Sequence, residues 1–316
     1  MRVLRMIIAA AGMLVALLGA FGAAAQDYPS RAVNMVIPFP PGGNTDLMAR
    51  ALQPELAKAL GQPVVVINKG GAGGTIGNIE VANAKPDGYT IGLTPNNPLT
   101  AQPHVQKLPY GMDSFKYVCL TYYVPYVVMA SPQAPFKTFQ EFVTYTKAKP
   151  DNLIYASPGP GTQPHLGILS ALAAIKGEGV HVPFTGAGPM AQAMLAGTVM
   201  AMSESTAVAK ASSLNVLAVQ TSERIPALPN VPTMKELGFP SEAFSAGGLI
   251  VPAATPDAVV ARLEKACADA VASEPYKAAT VKLNADARFL PAKDFRKMFD
   301  EDSVRNAAAV KSAGIK

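Results

Sequence analysis

The apolar run FKYVCLTYYVPYVVMA, which ends at Ala130, is too long for one ordinary strand and is interrupted by Pro125. A strand that leaves one lobe and enters another reads in this way, because each end is buried in a different core. A second candidate crossing is FSAGGLIV at 244–251, followed by Pro252 and a helical C-terminal region. Two crossings imply a discontinuous first lobe, residues 27–124 with 249–316, and a second lobe at 125–248.

Short apolar runs at 33–39, 64–68, 90–94 and 152–157 are bounded by Gly, Pro or Asn, as buried strands are. Helical patterns lie between them at 46–60, 75–84, 138–147, 165–176 and 190–195. Strand alternating with helix argues for α/β lobes built on parallel sheets. No internal repeat or low-complexity tract interrupts this order.

Arg2 and Arg5 precede an apolar stretch and then Ala23-Ala24-Ala25, the order of a secretory signal peptide at residues 1–25. The stretch is short for a bilayer span, and no Cys at the cleavage site offers an acylation point. A chain of about 290 residues would remain, free in the periplasm as a monomer and long enough for two lobes with their own cores. No later segment approaches 18 uninterrupted apolar residues, so no stable membrane insertion is expected.

Without Arg2 and Arg5 the formal charge falls from +5 to +3, and the remaining basic residues are scattered among acids. That is no nucleic-acid footprint, although a modest positive field assists anion capture. An oxidising compartment permits Cys119 and Cys267 to pair. With one in an apolar strand and the other in an amphipathic helix, two separately buried thiols is the preferred reading.

The strongest local signal is VIPFPPGGNTDLMAR, residues 36–50, where a strand ends in a Pro-Pro-Gly-Gly turn and a helix begins. Gly42 and Gly43 let backbone amides approach a ligand, and Asn44 or Thr45 can cap the helix. The helix start offers unpaired N–H groups to a carboxylate. Asp46 either sits in the first turn, stabilised by the helix dipole, or faces the ligand, with the capping role favoured. A similar device recurs in ASPGPGTQPHLG, residues 156–167, with Ser157, Gly159, Gly161, Thr162 and an early-helix His165. Because the two loops fall in different lobes, they could hold a carboxylate, or both ends of a dicarboxylate, with no metal or cofactor. Loops at 68–77, 94–97, 183–189 and 203–206 could close the same cleft.

These segments, with KPDGYTIGL, LAVQTSERIPALPNVPTMKELGFP, LIVPAATP and the ending VKSAGIK, resemble the Bug family of tripartite tricarboxylate transporter substrate-binding proteins across essentially the whole mature chain. The resemblance implies a periplasmic-binding-protein fold of type II-like form, two α/β lobes joined by two hinge strands around a ligand cleft. It implies a small carboxylate ligand and, as partners, membrane transporter subunits or a sensor protein. Carried onto matching positions, the ligand-binding residues are Phe39, Gly42, Gly43, Thr45, Asp46, Thr94, Ser157, Gly161, Thr162, His165, Phe184, Thr185, Gly186 and Glu204. Two departures stand out: Phe184-Thr185 where the family has Tyr-Lys, and Ser203-Glu204 where it often has an aromatic and Asp.

An enzyme is the competing class. No G-x-S-x-G elbow occurs, and His104, His165 and His181 are too dispersed for a zinc site. His181, placed at a loop end before a strand, reads as structural. Ile76 takes the third glycine position of a dinucleotide motif. Binding without turnover, and no cofactor, is therefore the expectation.

Overall fold

The computed structural model describes residues 28–149, 152–312 and 314–315, so the expected signal peptide lies outside the described residues. Strands β1 (Val33–Ile37), β2 (Val64–Asn68) and β3 (Thr90–Pro95) alternate with helices α1 (Asn44–Leu60) and α2 (Thr75–Ala82). Two one-turn helices follow, α3 (Asn97–Thr100) and α4 (Gln102–Val105). The long run is one continuous 16-residue strand, β4 (Phe115–Ala130). Beyond it come α5 (Phe139–Ala148), β5 (Ile154–Ser157), α6 (Gln163–Ile175), β6 (Val180–Pro183) and α7 (Ala187–Leu195). Next are β7 (Ala201–Ser205), α8 (Thr206–Ser212), β8 (Asn215–Val219) and β9 (Phe244–Pro252). The chain closes with α9 (Asp257–Ala272), α10 (Glu274–Lys282), β10 (Asp286–Pro291) and α11 (Ala292–Ser312).

All ten strands belong to one curled sheet in the order β2-β1-β3-β9-β4-β7-β5-β6, with β10 and β8 also paired to β4. The sheet has two halves that share β4. Its first part pairs antiparallel with β9 from Phe115 to Pro125, and with β10 up to Tyr123. From Tyr126 onward it pairs with β7 and β8 instead. Pro125 does not break the strand: it faces Phe244 of β9, and on the opposite edge it falls between the end of β10 pairing and the start of β7 pairing. No ladder partner there requires the N–H that proline lacks.

Each half is covered on both faces, which is why its parallel strands are apolar at successive positions rather than at alternate ones. In the first half Met35, Ile37 and Tyr122 pack with α1, α9 and α10, while Val36, Leu120 and Ile250 meet Phe295 and Phe299 of α11. In the second half Val128 packs with α5 and α6, and Val127 and Met129 with Met190 and Met194 of α7. The expectation of two separate thiols is corrected. Cys119 of β4 and Cys267 of α9 form a disulfide, both fully buried, with Cα atoms 6.6 Å apart. The strand and the helix that suggested separate sites pack directly on each other, within bridging distance.

Helix α11 ties the halves together. Its Asp302 carboxylate accepts hydrogen bonds from Thr100 Oγ1 at 2.6 Å and Asn96 Nδ2 at 2.9 Å, at the end of β3. Val310, with Ala309 and Ile315, then packs against Leu166 of α6 and Ala101.

Candidate functional site

After β1 the chain turns through Pro40-Pro41-Gly42-Gly43 into α1. Gly43 is the N-cap, with no side-chain cap, and both Asn44 and Thr45 already lie inside the first turn, so neither plays the capping role expected of it. Leu47 N–H makes the first helical bond, to Gly43 O at 3.0 Å. The preceding N–H groups of the turn have no intrahelical acceptor and carry the positive end of the helix dipole. Gly42 has φ +82, a conformation that disfavours any side chain, whereas Gly43 has φ −76 and ordinary space for a Cβ.

Asp46 braces this turn. Its carboxylate accepts from Gly42 N–H, Arg50 Nε and Asn68 Nδ2, each at 2.9 Å, and its side chain is 2% exposed. Burial alone would raise its pKa, but these hydrogen bonds outweigh burial and hold it below the usual carboxylate value. Asn68 also donates to Phe39 O at 3.0 Å. Asp46 thus serves the loop, and its oxygens are committed before a ligand arrives.

The second loop follows β5. Ser157 Oγ accepts from Gly159 N–H at 3.1 Å and lies 2.6 Å from His181 Nε2. Thr162 is the N-cap of α6, with its hydroxyl donating to Gly159 O at 2.7 Å rather than capping the helix. Gly161 N–H donates to His165 Nδ1 at 3.2 Å, so that nitrogen carries no proton. His165 stacks on His181 with ring centroids 4.0 Å apart, and Tyr155 stacks on both. Burial, reinforced by His181, lowers the His165 pKa to about 4. His181 lies within β6 rather than at a loop end, and it supports the Ser157 turn from beneath.

A chain of contacts joins the two loops. The Phe39 ring packs on Gly74, which also meets Pro98, and the adjacent Asn97 donates from Nδ2 to Gly161 O at 3.0 Å. A Cβ on Gly161 would lie 2.8 Å from Val105, so the two halves touch backbone to side chain at this point. A group of hydroxyls lies beside the first turn. Tyr122, fully buried, directs its hydroxyl toward those of Thr45 and Ser245 without meeting a partner at full hydrogen-bond geometry. Burial pushes its pKa up to about 12. Tyr126 is buried nearby, its pKa raised first by burial and then by the neighbouring Glu204 carboxylate and Tyr122.

The remaining expected site residues separate. Glu204, near the end of β7 and paired with Val127 of β4, is buried and accepts Ser205 N–H at 2.6 Å. Thr94 is fully buried in β3, its hydroxyl donating to Pro95 O at 3.3 Å. Phe184 is half-buried and packs against the Met190 and Met194 cluster of α7. Thr185 is exposed and Gly186 is the N-cap of α7. A cavity of about 720 Å³ lies apart from these loops, between Pro125, α8 and residues 284–286. Among the described residues there is no cluster of His, Cys, Asp or Glu that could hold a metal ion.

Comparison with known proteins bears on this geometry. The family model for the "Tripartite tricarboxylate transporter family receptor" matches residues 48–315. Protein BugT from Bordetella pertussis is 31% identical over 98% of both chains. The chain belongs to this receptor family, the Bug proteins. A TctC solute-binding protein from Polaromonas superposes with TM-score 0.81 at 29% identity, covering 90% of this chain and 99% of that one. MatC from Rhodopseudomonas palustris, with bound malate, gives 0.75 at 32% identity, covering 90% of this chain and all of that one. The Bug family consists of transporter receptors and solute-binding proteins rather than enzymes, and its solved members include periplasmic binding proteins. Among the described residues of this Bug protein no helix is long and apolar enough to cross a membrane.

Sequence reasoning missed Tyr122, Tyr126 and Ser245 because they lie in β4 and β9 and read there as core. Asn97 carried a signal, as part of the loop at 94–97, but its reach to Gly161 depends on how the halves meet.

Proposed function

We propose that this Bug protein captures a small carboxylate between its two halves and hands it to a membrane transporter of the tripartite tricarboxylate type. The observation that carries this reading is the pair of glycine turns on facing halves. Each runs into a helix whose first N–H groups lack partners, and the Asn97–Gly161 hydrogen bond ties the turns together. MatC, of similar structure, holds malate, which supports a carboxylate ligand.

In this reading the lobes are residues 27–124 with 249–316 and residues 125–248, and closure bends β4 and β9. Backbone N–H groups from Gly43 to Thr45 and at the start of α6 contact the carboxylate, with Phe39, Thr162 and Gly186 around it. Asp46, Ser157 and His165 hold those donors in place. Residues 1–25 direct secretion and are removed, leaving the protein in the periplasm. The test is a thermal-shift screen of the secreted form against mono-, di- and tricarboxylates, with calorimetry and a turnover assay on any hit. Saturable binding without turnover supports the reading; absence of binding by every carboxylate sinks it.

A further inference from the structure

One edge of β4 has a gap at Pro125. Pairing with β10 ends at Tyr123, opposite Asp286, and pairing with β7 starts at Tyr126, opposite Ser205. Pro125, Asp286 and Thr206, the residue after Ser205, all line the cavity of about 720 Å³. The cavity therefore lies at the gap, where one half of the sheet gives way to the other. None of its lining residues belongs to either glycine turn.

Both halves supply its walls. Leu214, Val216, Ile225 and Leu228 come from the second half, and Asn284 and Ala285 from the first. Leu214, Ile225 and Ala285 are buried in their own cores, so packing fixes these walls before any ligand arrives. The volume falls within the range of roughly 300–1,000 Å³ typical of small-molecule pockets, which are likewise concave and mostly apolar with a few polar groups.

The charges on the lining do not balance. Asp286 has Arg288 as its counter-ion at 3.7 Å, and Arg288 lies in turn over the Tyr123 ring. Lys210, in the last turn of α8, is exposed and has no acid paired with it among the described residues. Asn284, at φ +53 beyond the end of α10, makes no side-chain hydrogen bond among them either. A cation from one half and an amide from the other thus border an apolar space. That combination suits a molecule with an apolar body and one anionic head.

We propose that this cavity is a second binding site, separate from the glycine turns, for an amphipathic monoanion. Its apolar body rests on Pro125, Leu214 and Ile225, and its head meets Lys210. Such a ligand touches both halves beside the strand that passes between them. Binding therefore holds them at the angle seen here, in which Asn97 and Gly161 join the turns. The site stands independently of what the turns themselves bind.

The test uses two dyes of one ring system: 8-anilinonaphthalene-1-sulfonate, which carries an anionic head, and N-phenyl-1-naphthylamine, which does not. Fluorescence titration of the secreted protein should show one saturable site for the sulfonate. Lys210→Ala should weaken the sulfonate about tenfold, the range of a hydrogen bond to a charged group, and leave the neutral dye within about twofold. Ala227→Trp, at an exposed lining position, fills the cavity and should abolish binding of both. Gly43→Ala should change neither. No saturable binding of the sulfonate overturns the site, and binding untouched by Ala227→Trp overturns its location. Equal losses for the two dyes in Lys210→Ala overturn the anionic head. Loss of the sulfonate in Gly43→Ala places it in the turn and overturns the second site. Small-angle scattering reads the clamp: the radius of gyration should stay level or fall when the sulfonate saturates, and a rise means that the dye opens the halves and overturns it. Carboxylate capture is decided by its own screen, whichever of these results appears.

Discussion

Asn97 Nδ2 donates to Gly161 O across 3.0 Å, and with that bond the end of β3 in one half of the sheet grips the turn after β5 in the other. The two residues lie far from any shared strand, so their contact depends on how the halves are set against each other. Asn97→Ala should weaken carboxylate binding by about 0.5–1.5 kcal/mol, a loss of roughly two- to tenfold. The melting temperature should hardly move. Calorimetry on the variant and the parent reads both; equal affinities would mean that the contact plays no part in closure.

Gly42 and Gly43 make a contrast within one turn. At φ +82 an alanine at 42 is strained, by about 1–2 kcal/mol, and it distorts the N–H group that Asp46 anchors. At 43 the backbone is extended and a Cβ would meet Pro40 O at 3.5 Å, ordinary contact. Gly42→Ala is therefore expected to lower both stability and affinity. Gly43→Ala should melt like the parent and lose affinity only, and unchanged binding would move the ligand away from that amide.

The His165 imidazole accepts Gly161 N–H, so protonation at Nδ1 breaks the turn it supports. Its folded pKa of about 4 lies below its ordinary value of 6.5. Its stabilising contribution is full above pH 6.5, falls as the unfolded chain takes up a proton, and levels off below about 4. Melting temperatures across that range should slope downward toward acid. His165→Asn, which keeps an acceptor near the Nδ1 position, should flatten the slope. Asp46 has its own window, because a depressed carboxylate pKa gives stability that is lost only as pH falls below about 4.

The Cys119–Cys267 bond closes a loop of 148 residues. Chain-entropy arguments put the stabilisation near 5 kcal/mol as an upper figure. Cys119→Ser with Cys267→Ser should lower the denaturant midpoint markedly, and the parent in strong reductant should approach the same value. Identical midpoints for oxidised and reduced parent would mean the thiols are not joined in the secreted protein.

Much of the fold could be read from residue order. Expected strands at 64–68 and 90–94 and helices at 46–60 and 165–176 fall within a few residues of the observed ones, because Gly, Pro and Asn punctuate short apolar runs. At α1 and α6 the observed helices begin at Asn44 and Gln163, two residues before the expected starts, because glycine turns and a proline feed these helices with no side-chain cap and so leave no capping signature to read. The apparent break at Pro125 was lost to tertiary context, since one edge of β4 has no partner there. The loop residues at 42–46 and 157–165 were legible as turn chemistry. Which of their side chains turn inward was not, because Asp46 is recruited by Asn68 and Ser157 by His181, partners more than twenty residues away.

The packing of Val310 and Ile315 against Leu166 has a practical side. The last turns of α11 form part of the joint between the halves, touching α6 only a few residues after the glycine turn that leads into it. An affinity handle or fluorescent fusion attached there would load that joint. A reporter intended to follow occupancy belongs instead on the exposed surface of α10, where Val281 faces solvent.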